Sequence, residues 1–384
     1  MIKSLFLAFV LFTCNAFGNF DYQISNTNFT LSQGSVFPNE ESDYLYNYNR
    51  LRLRGDITDG NFFLTFIGDG VNYLGHDYVN SRSFDYIKEQ KSDTPFKTTS
   101  SFNDYYEGSF YSKLYRFYGG YEDNDRRIVL GLQNITMGVG RIWTPSNLFN
   151  PRNIYALEPD ETYGVAALSY THHLTTTSDI TLVLSQKADH TYKYAARYKA
   201  FLDISDVAIN LISSDATKMA AYEIEANLAD TGIEVRSEGA YIRHTLKTAL
   251  NDEEEQEFFQ GILGADYGFE NGVNVIGEVL YSSKSFEYEE ILLNYDSQIM
   301  PNLVNSKFYT AISVAYSFNL FLDASVVYIE SFNDANSRFI TPTLTYTLND
   351  YNTFTLGAML ENGPKESEFG MFSDTYYFRY ALSF

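Results

Sequence analysis

Cysteine is all but missing from this chain of 384 residues: Cys14 stands alone, in an N-terminal segment with the marks of an export signal. That segment, MIKSLFLAFVLFTCNAFG, has a basic Lys3, an apolar run over residues 5–12, and the small residues Ala16 and Gly18 ahead of a cleavage point. Read as a signal peptide over 1–18, it leaves a mature chain, 19–384, with no disulfide and no thiol chemistry. Past it, nowhere do 18 apolar residues run together, which excludes a transmembrane helix. Basic residues are scarce as well. The 27 lysines and arginines face 49 aspartates and glutamates, and a formal charge of −22 is a poor match for nucleic acid. No Pro/Gly/Ser-rich linker divides the chain, so its texture is that of one domain. HExxH and GxSxG are missing and the five histidines follow no ligand spacing, so neither an enzyme nor a metal or other cofactor is expected.

Aromatic residues are what the chain has in excess, 33 Tyr and 31 Phe beside one Trp, far too many for a disordered acidic polymer. They fall in alternating segments. In NRLRLRGDI (49–57), Arg50, Arg52 and Arg54 share one face of an extended chain, and Leu51, Leu53 and Ile57 share the other. The last ten residues, TYYFRYALSF, set Tyr376, Phe378, Tyr380, Leu382 and Phe384 against Tyr377, Arg379, Ala381 and Ser383. Roughly eighteen such segments run the length of the mature chain, or sixteen if one pair is miscounted. Tight turns such as TDG (58–60), EDND (122–125), TTT (175–177) and ENG (270–272) alternate with longer connections at 74–104, 137–161, 246–257, 286–305 and 362–373. Segments of about ten residues, with short turns on one rim and long loops on the other, are the mark of a transmembrane antiparallel β-barrel. The expected fold is therefore all-β, with the apolar face of each strand on lipid and the polar face on a wet lumen. A secreted two-sheet protein or β-helix has no reason to sort its connections in this way.

On these residues the chain resembles outer-membrane barrel proteins, porins in particular. The C-terminal YYFRYALSF is similar to the signal that the barrel-assembly machinery reads in that class. GVGRIWTPSNLFNPRN (138–153), followed by LEPDETYGVAAL (157–168), is similar to a segment of uncharacterised porin-like barrels. The resemblance implies a bacterial outer membrane, with outer-membrane lipid and lipopolysaccharide around the barrel. It also implies passive passage of small hydrophilic solutes, no enzyme activity and, as is common among porins, a homotrimer.

Two constellations are candidates for lining the pore. On barrel closure Arg379 lies two strands from Arg50, Arg52 and Arg54, while half a turn away stand Glu223, Glu225, Glu234, Glu238, Asp266 and Glu278, with Arg236 among them. Basic residues facing acidic ones would set a transverse field across the lumen; the plainer reading is that these charges pair with their strand neighbours. The second constellation is the 137–161 connection. Pro145 and Pro151 bar it from sheet pairing, and Asn147, Asn150 and Asn153 suit turns. Leu148, Phe149, Ile154 and Tyr155 are too apolar for a loop in solvent, so it is expected to fold inward and narrow the barrel. Arg141, Trp143, Arg152, Glu158, Asp160 and Glu161 are its candidate constriction residues. The other reading is a surface loop with Trp143 at the lipid interface. The acidic runs 251–257 and 286–291 read as solvated faces of outer loops. A structural or adhesive barrel without a channel, and a lipid hydrolase using His172 or His173, remain as alternatives.

Overall fold

The computed structural model describes residues 18–37, 40, 42–248, 252–294, 299–332 and 336–384. The expected signal segment, Cys14 included, lies outside the described residues except for Gly18. From the N-terminus the strands are β1 (Asn19–Gly34), β2 (Asp43–Asp59), β3 (Phe62–Leu74), β4 (Asn103–Tyr105), β5 (Gly108–Glu122) and β6 (Arg126–Gln133). There follow β7 (Val165–Thr175), β8 (Ser178–Gln186), β9 (Tyr192–Leu202), β10 (Ser205–Ser213), β11 (Thr217–Asn227) and β12 (Ile233–Lys247). The rest are β13 (Glu253–Gly268), β14 (Val273–Ser282), β15 (Phe308–Asn319), β16 (Leu322–Ser331), β17 (Ser337–Asn349), β18 (Asn352–Asn362) and β19 (Thr375–Ser383).

These nineteen strands form one antiparallel sheet, of which the three-residue β4 is an appendage. The other eighteen close into a barrel, because β1 pairs with β2 along one edge and with β19 along the other, from Ser25↔Ser383 to Gln33↔Thr375. The count is eighteen, not sixteen. Closure gives each of the eighteen strands a neighbour on both sides, the condition for crossing lipid with strands. Alternation does the rest: Leu51 and Leu53 are 53% and 45% exposed on the outside, while Arg50 keeps 8% on the inside. Aromatic pairs ring the short-turn rim, Phe62 on Tyr121, Tyr267 on Phe269, Tyr316 on Phe318 and Tyr351 on Phe384, at 4.6–5.7 Å between centroids. Such rings suit the membrane–water boundary.

The structure corrects the sequence reading in several places. The connection expected at 246–257 is only the stretch between Lys247 and Glu253; Glu253 to Glu257 belong to β13, where Lys247 pairs with Glu253 and Arg243 with Glu257. Opposite charge across the strands lets this acidic run extend the sheet beyond the apolar belt. The second acidic run folds as α3 (Tyr288–Leu293), begun by a capping box in which Glu287 and Glu290 each bond the other's backbone N–H. Two further helices, α1 (His76–Val79) and α2 (Arg82–Glu89), follow β3. None of the three was anticipated.

β6 matters most for the site. It ends at Gln133, and the chain leaves the wall until Val165. The outer half of β5, deprived of that neighbour, pairs instead with Thr99 and β4 from the preceding connection. Between β3 and β5 a bulge leaves Tyr115 unpaired, with Ile67 opposite Arg116 and Gly68 opposite Leu114. Lys113, opposite the inward Asp69, and Arg116, opposite Ile67, therefore face the same way although three residues apart. Inside the outer half of the barrel lie two apolar clusters. One gathers Phe29, Tyr46, Tyr73, Tyr78, Phe84 and Trp143; the other gathers Leu148, Phe149, Ile212, Ile242 and Phe258.

Candidate functional site: a loop tied across the lumen

Residues 134–164 form no strand or helix, so their buried N–H groups need partners from elsewhere. The wall supplies them. On β11, Tyr222 and Ile224 face lipid at 39% and 40% exposure, which turns Glu223 and Glu225 inward. Glu223 accepts from the N–H of Gly138 at 2.8 Å. Glu238 of β12 accepts from Val139 at 2.8 Å, Gly140 at 3.1 Å and both the N–H and hydroxyl of Ser146 at 2.7 Å. Glu278 of β14 accepts from Arg141 at 3.0 Å, Ile142 at 3.1 Å and Trp143 at 2.8 Å. Seven backbone N–H groups thus end on three carboxylates. Glu223 and Glu238 stand directly opposite one another, a repulsive pairing by itself. Arg197 at 2.5 Å and Asn210 at 2.6 Å offset it on the Glu223 side.

Such close approach requires small residues in the loop. A Cβ on Gly140 would lie 1.7 Å from the Trp143 carbonyl oxygen, and one on Gly138, whose φ is +95°, would lie 2.7 Å from Glu238. Past these glycines the Arg141 guanidinium reaches Glu234 at 2.6 Å, Glu225 at 3.1 Å and Asp266 at 3.4 Å. Arg236, buried in the wall behind, is ion-paired with Asp266.

The far end of the loop meets the arginine row. Arg50 holds Glu158 through two bonds of 2.8 and 2.9 Å, with Glu161 at 3.4 Å. Arg52 grips Asp69 of β3 at 2.7 and 2.8 Å and Glu161 at 2.8 and 2.9 Å, its guanidinium stacked 3.9 Å over the Tyr115 ring. Burial pushes the Glu158 carboxyl above its ordinary value in spite of the Arg50 charge. Burial acts on Glu161 too, but the Arg52 hydrogen bond and both guanidinium charges outweigh it, and its pKa ends lowered. Each end of the loop therefore carries charge opposite to the wall it touches. Between them Arg152 donates to the Arg141 carbonyl at 2.6 Å and pairs with Asp160 at 2.9 Å. Three charged side chains of the loop keep wide exposure: Arg141 at 42%, Arg152 at 37% and Asp160 at 81%.

Not every candidate joins this clasp. Arg54 pairs with Asp56 at 2.5 Å toward the short-turn rim, away from the loop. Arg379 lies over Phe29 at 5.7 Å. Trp143 is buried within the barrel, 5.9 Å from Tyr309, and is not at the lipid interface. The sequence reading also missed several neighbours. Asp69 sits on an inward position that alternation would have given, but Lys113 and Arg116 are hidden by the bulge. The Lys113 ammonium lies 4.3 Å from the Tyr163 ring, and Arg116 donates to carbonyl oxygens of Tyr115 at 2.8 Å and Thr162 at 3.0 Å. Neither has a carboxylate within ion-pair distance among the described residues.

A closed eighteen-stranded antiparallel barrel with an apolar outer belt and a loop folded into it is the architecture of an outer-membrane porin, and the chain has that fold. Among solved structures it is similar to OccAB1 of Acinetobacter baumannii, at 10% identity over 96% of each chain with a TM-score of 0.63. It is also similar to OccD3 (OpdP) of Pseudomonas aeruginosa, at 10% identity over 96% of this chain and 92% of that one with a TM-score of 0.60. A third likeness, to Pseudomonas aeruginosa OpdK with vanillate, has 9% identity over 95% and 98% with a TM-score of 0.57. No family model matches the chain, and no curated protein does.

Proposed function

We propose that this chain is a passive channel of the bacterial outer membrane for small hydrophilic solutes, and that it is not an enzyme. The loop 134–164 is its constriction, and the arginine row and acidic wall form its charged lining. The observation that carries this reading is the loop's attachment to both walls by opposite charges, which leaves Arg141, Arg152 and Asp160 as the exposed groups a solute would meet. At the arginine wall four cations (Arg50, Arg52, Lys113 and Arg116) stand with three carboxylates (Asp69, Glu158 and Glu161). That excess favours negatively charged solutes. OpdK, solved with vanillate, is a barrel of this fold seen with a carboxylate compound. Lipopolysaccharide around the barrel, delivery by the barrel-assembly machinery and a trimer follow from the same reading.

The test is electrical. In planar bilayers under a salt gradient, Lys113→Gln with Arg116→Gln should move the reversal potential toward cation preference, most at low salt, where screening is weak. Conduction indifferent to both substitutions would move selectivity elsewhere. A second reading, a structural barrel without a channel, draws on the two apolar clusters that lie inside the outer half of the barrel. A folded barrel that conducts nothing would decide for it.

A further inference from the structure

Outside the barrel, on the face turned to lipid, β7–β12 form a groove of about 880 Å³ lined mainly by apolar side chains. Its cause is in the register. Leu182, Ala196, Leu211, Ala220 and Tyr241 stand side by side at one height on successive strands. The two alanines, set between larger neighbours, make the wall dip. One step toward the long-loop rim the row reads Tyr194, Ser213, Lys218, Arg243. Arg243 is held by Glu257 and, at 3.5 Å, by Glu255. Lys218 is exposed and makes no ion pair with any described residue. In a chain of formal charge −22, an uncompensated ammonium at the lip of an apolar groove stands out from its surroundings.

We propose that this groove is a binding site for one outer-leaflet lipid with a phosphorylated headgroup. In a bilayer the groove is filled by whatever the membrane offers, and its shape suits an acyl chain laid along the strands. A cation at its lip, at the depth of the boundary, selects an amphiphile whose anionic group lies there, and the long-loop rim fixes the leaflet. Tyr194 and Tyr241, 55% and 49% exposed, flank the lip and give the bound molecule ring faces at the interface. The inference rests on the barrel's crossing of the membrane and is independent of whether it conducts.

The experiment uses the full mature barrel folded in detergent, incubated with lipid A or with its dephosphorylated form, and retained lipid counted by native mass spectrometry. One lipid A per barrel is expected, retained about tenfold better than the dephosphorylated molecule, the worth of one charge-assisted contact. Lys218→Gln should bring lipid A down to the dephosphorylated level. Ala196→Phe with Ala220→Phe should abolish retention of both. These positions face outward, and heat-modifiable migration on gels checks folding; should the phenylalanine variant not fold, the Lys218→Gln result decides alone. Equal retention of the two lipids, or retention unaffected by Lys218→Gln, overturns the proposal. So does a phenylalanine variant that separates an oligomer into monomers while holding lipid as before, because the face would then be an interface between copies.

Discussion

At the scale of single residues, the wall carboxylates do for the loop what a neighbouring strand does elsewhere. A carboxylate has two oxygens and only accepts, so one side chain can take several N–H donors at once. Glu238 takes three from the loop backbone and a hydroxyl besides; Glu278 takes three. A glutamine there would turn an NH2 toward donors. Glu278→Gln is therefore expected to leave at least one loop N–H unpaired, at a cost of about 1–3 kcal/mol, and to loosen the constriction without unfolding the barrel. Single-channel recordings should show larger and noisier current. Gly140→Ala should act in the same direction through sterics, since its new Cβ cannot coexist with the Trp143 carbonyl in this geometry. Quiet, wild-type traces from both variants would mean that something other than these contacts holds the loop.

At the scale of elements, a second connection packs on the inward loop. Between β18 and β19, Phe369 lies 5.5 Å from Tyr155 of the inward loop and 5.8 Å from Phe339 of β17. Glu368 beside it accepts from the hydroxyls of Tyr309 and Ser331, both at 2.7 Å. Burial pushes the Glu368 carboxyl up to about 7, more than those two hydrogen bonds pull it down. An acid whose folded pKa is raised holds its proton in the folded state where the unfolded chain has lost it. Its contribution therefore favours packing at low pH and is lost as pH rises from about 4.3 to about 7. The stretch 363–374 should be better protected from hydrogen exchange at pH 5 than at pH 8. Glu368→Gln should flatten that difference. A pH dependence that survives the substitution belongs to another group.

The whole molecule adds what no element has, a closed wall with two unlike rims. Closure runs through β1 and β19, and the chain's last residue takes part: Phe384 exchanges backbone hydrogen bonds with Ile24 at 2.8 and 3.2 Å and sets its ring against Tyr351. Removing Phe384 is expected to lower the fraction of chain that reaches the heat-resistant barrel form in cells, with Phe384→Tyr close to wild type. Equal yields would deny Phe384 a part in assembly. The rims make a second test. Single cysteines at Asn124 and Asn271, on short turns, should be labelled only after the outer membrane is opened. Cysteines at Lys91 and Lys365, on long connections, should be labelled on intact cells. Mixed accessibility would contradict the orientation.

The sequence alone determined the period of two, a barrel of roughly eighteen segments, the lipid face of most of them and the sorting of short turns from long connections. These are local properties, and lipid leaves a strand few ways to satisfy them. Leu51 and Leu53 could only go outward once Arg50 and Arg52 shared the other side. The apolar, proline-broken stretch 137–161 was likewise legible as a loop that could not remain in solvent. What the tertiary structure decided was partnership. Arg50 meets Glu158 across 108 residues and Glu238 meets Val139 across 99, contacts that exist only because the loop has entered a lumen of finite width. One unpaired residue, Tyr115, shifts the phase of β5 and sends Lys113 and Arg116 to the same face, which no reading by alternation could give. Glu253 to Glu257 became strand because Lys247 and Arg243 stood opposite. Alternation is written residue by residue along the chain, but the choice of partner is made by closure, and closure is a property of all eighteen strands together.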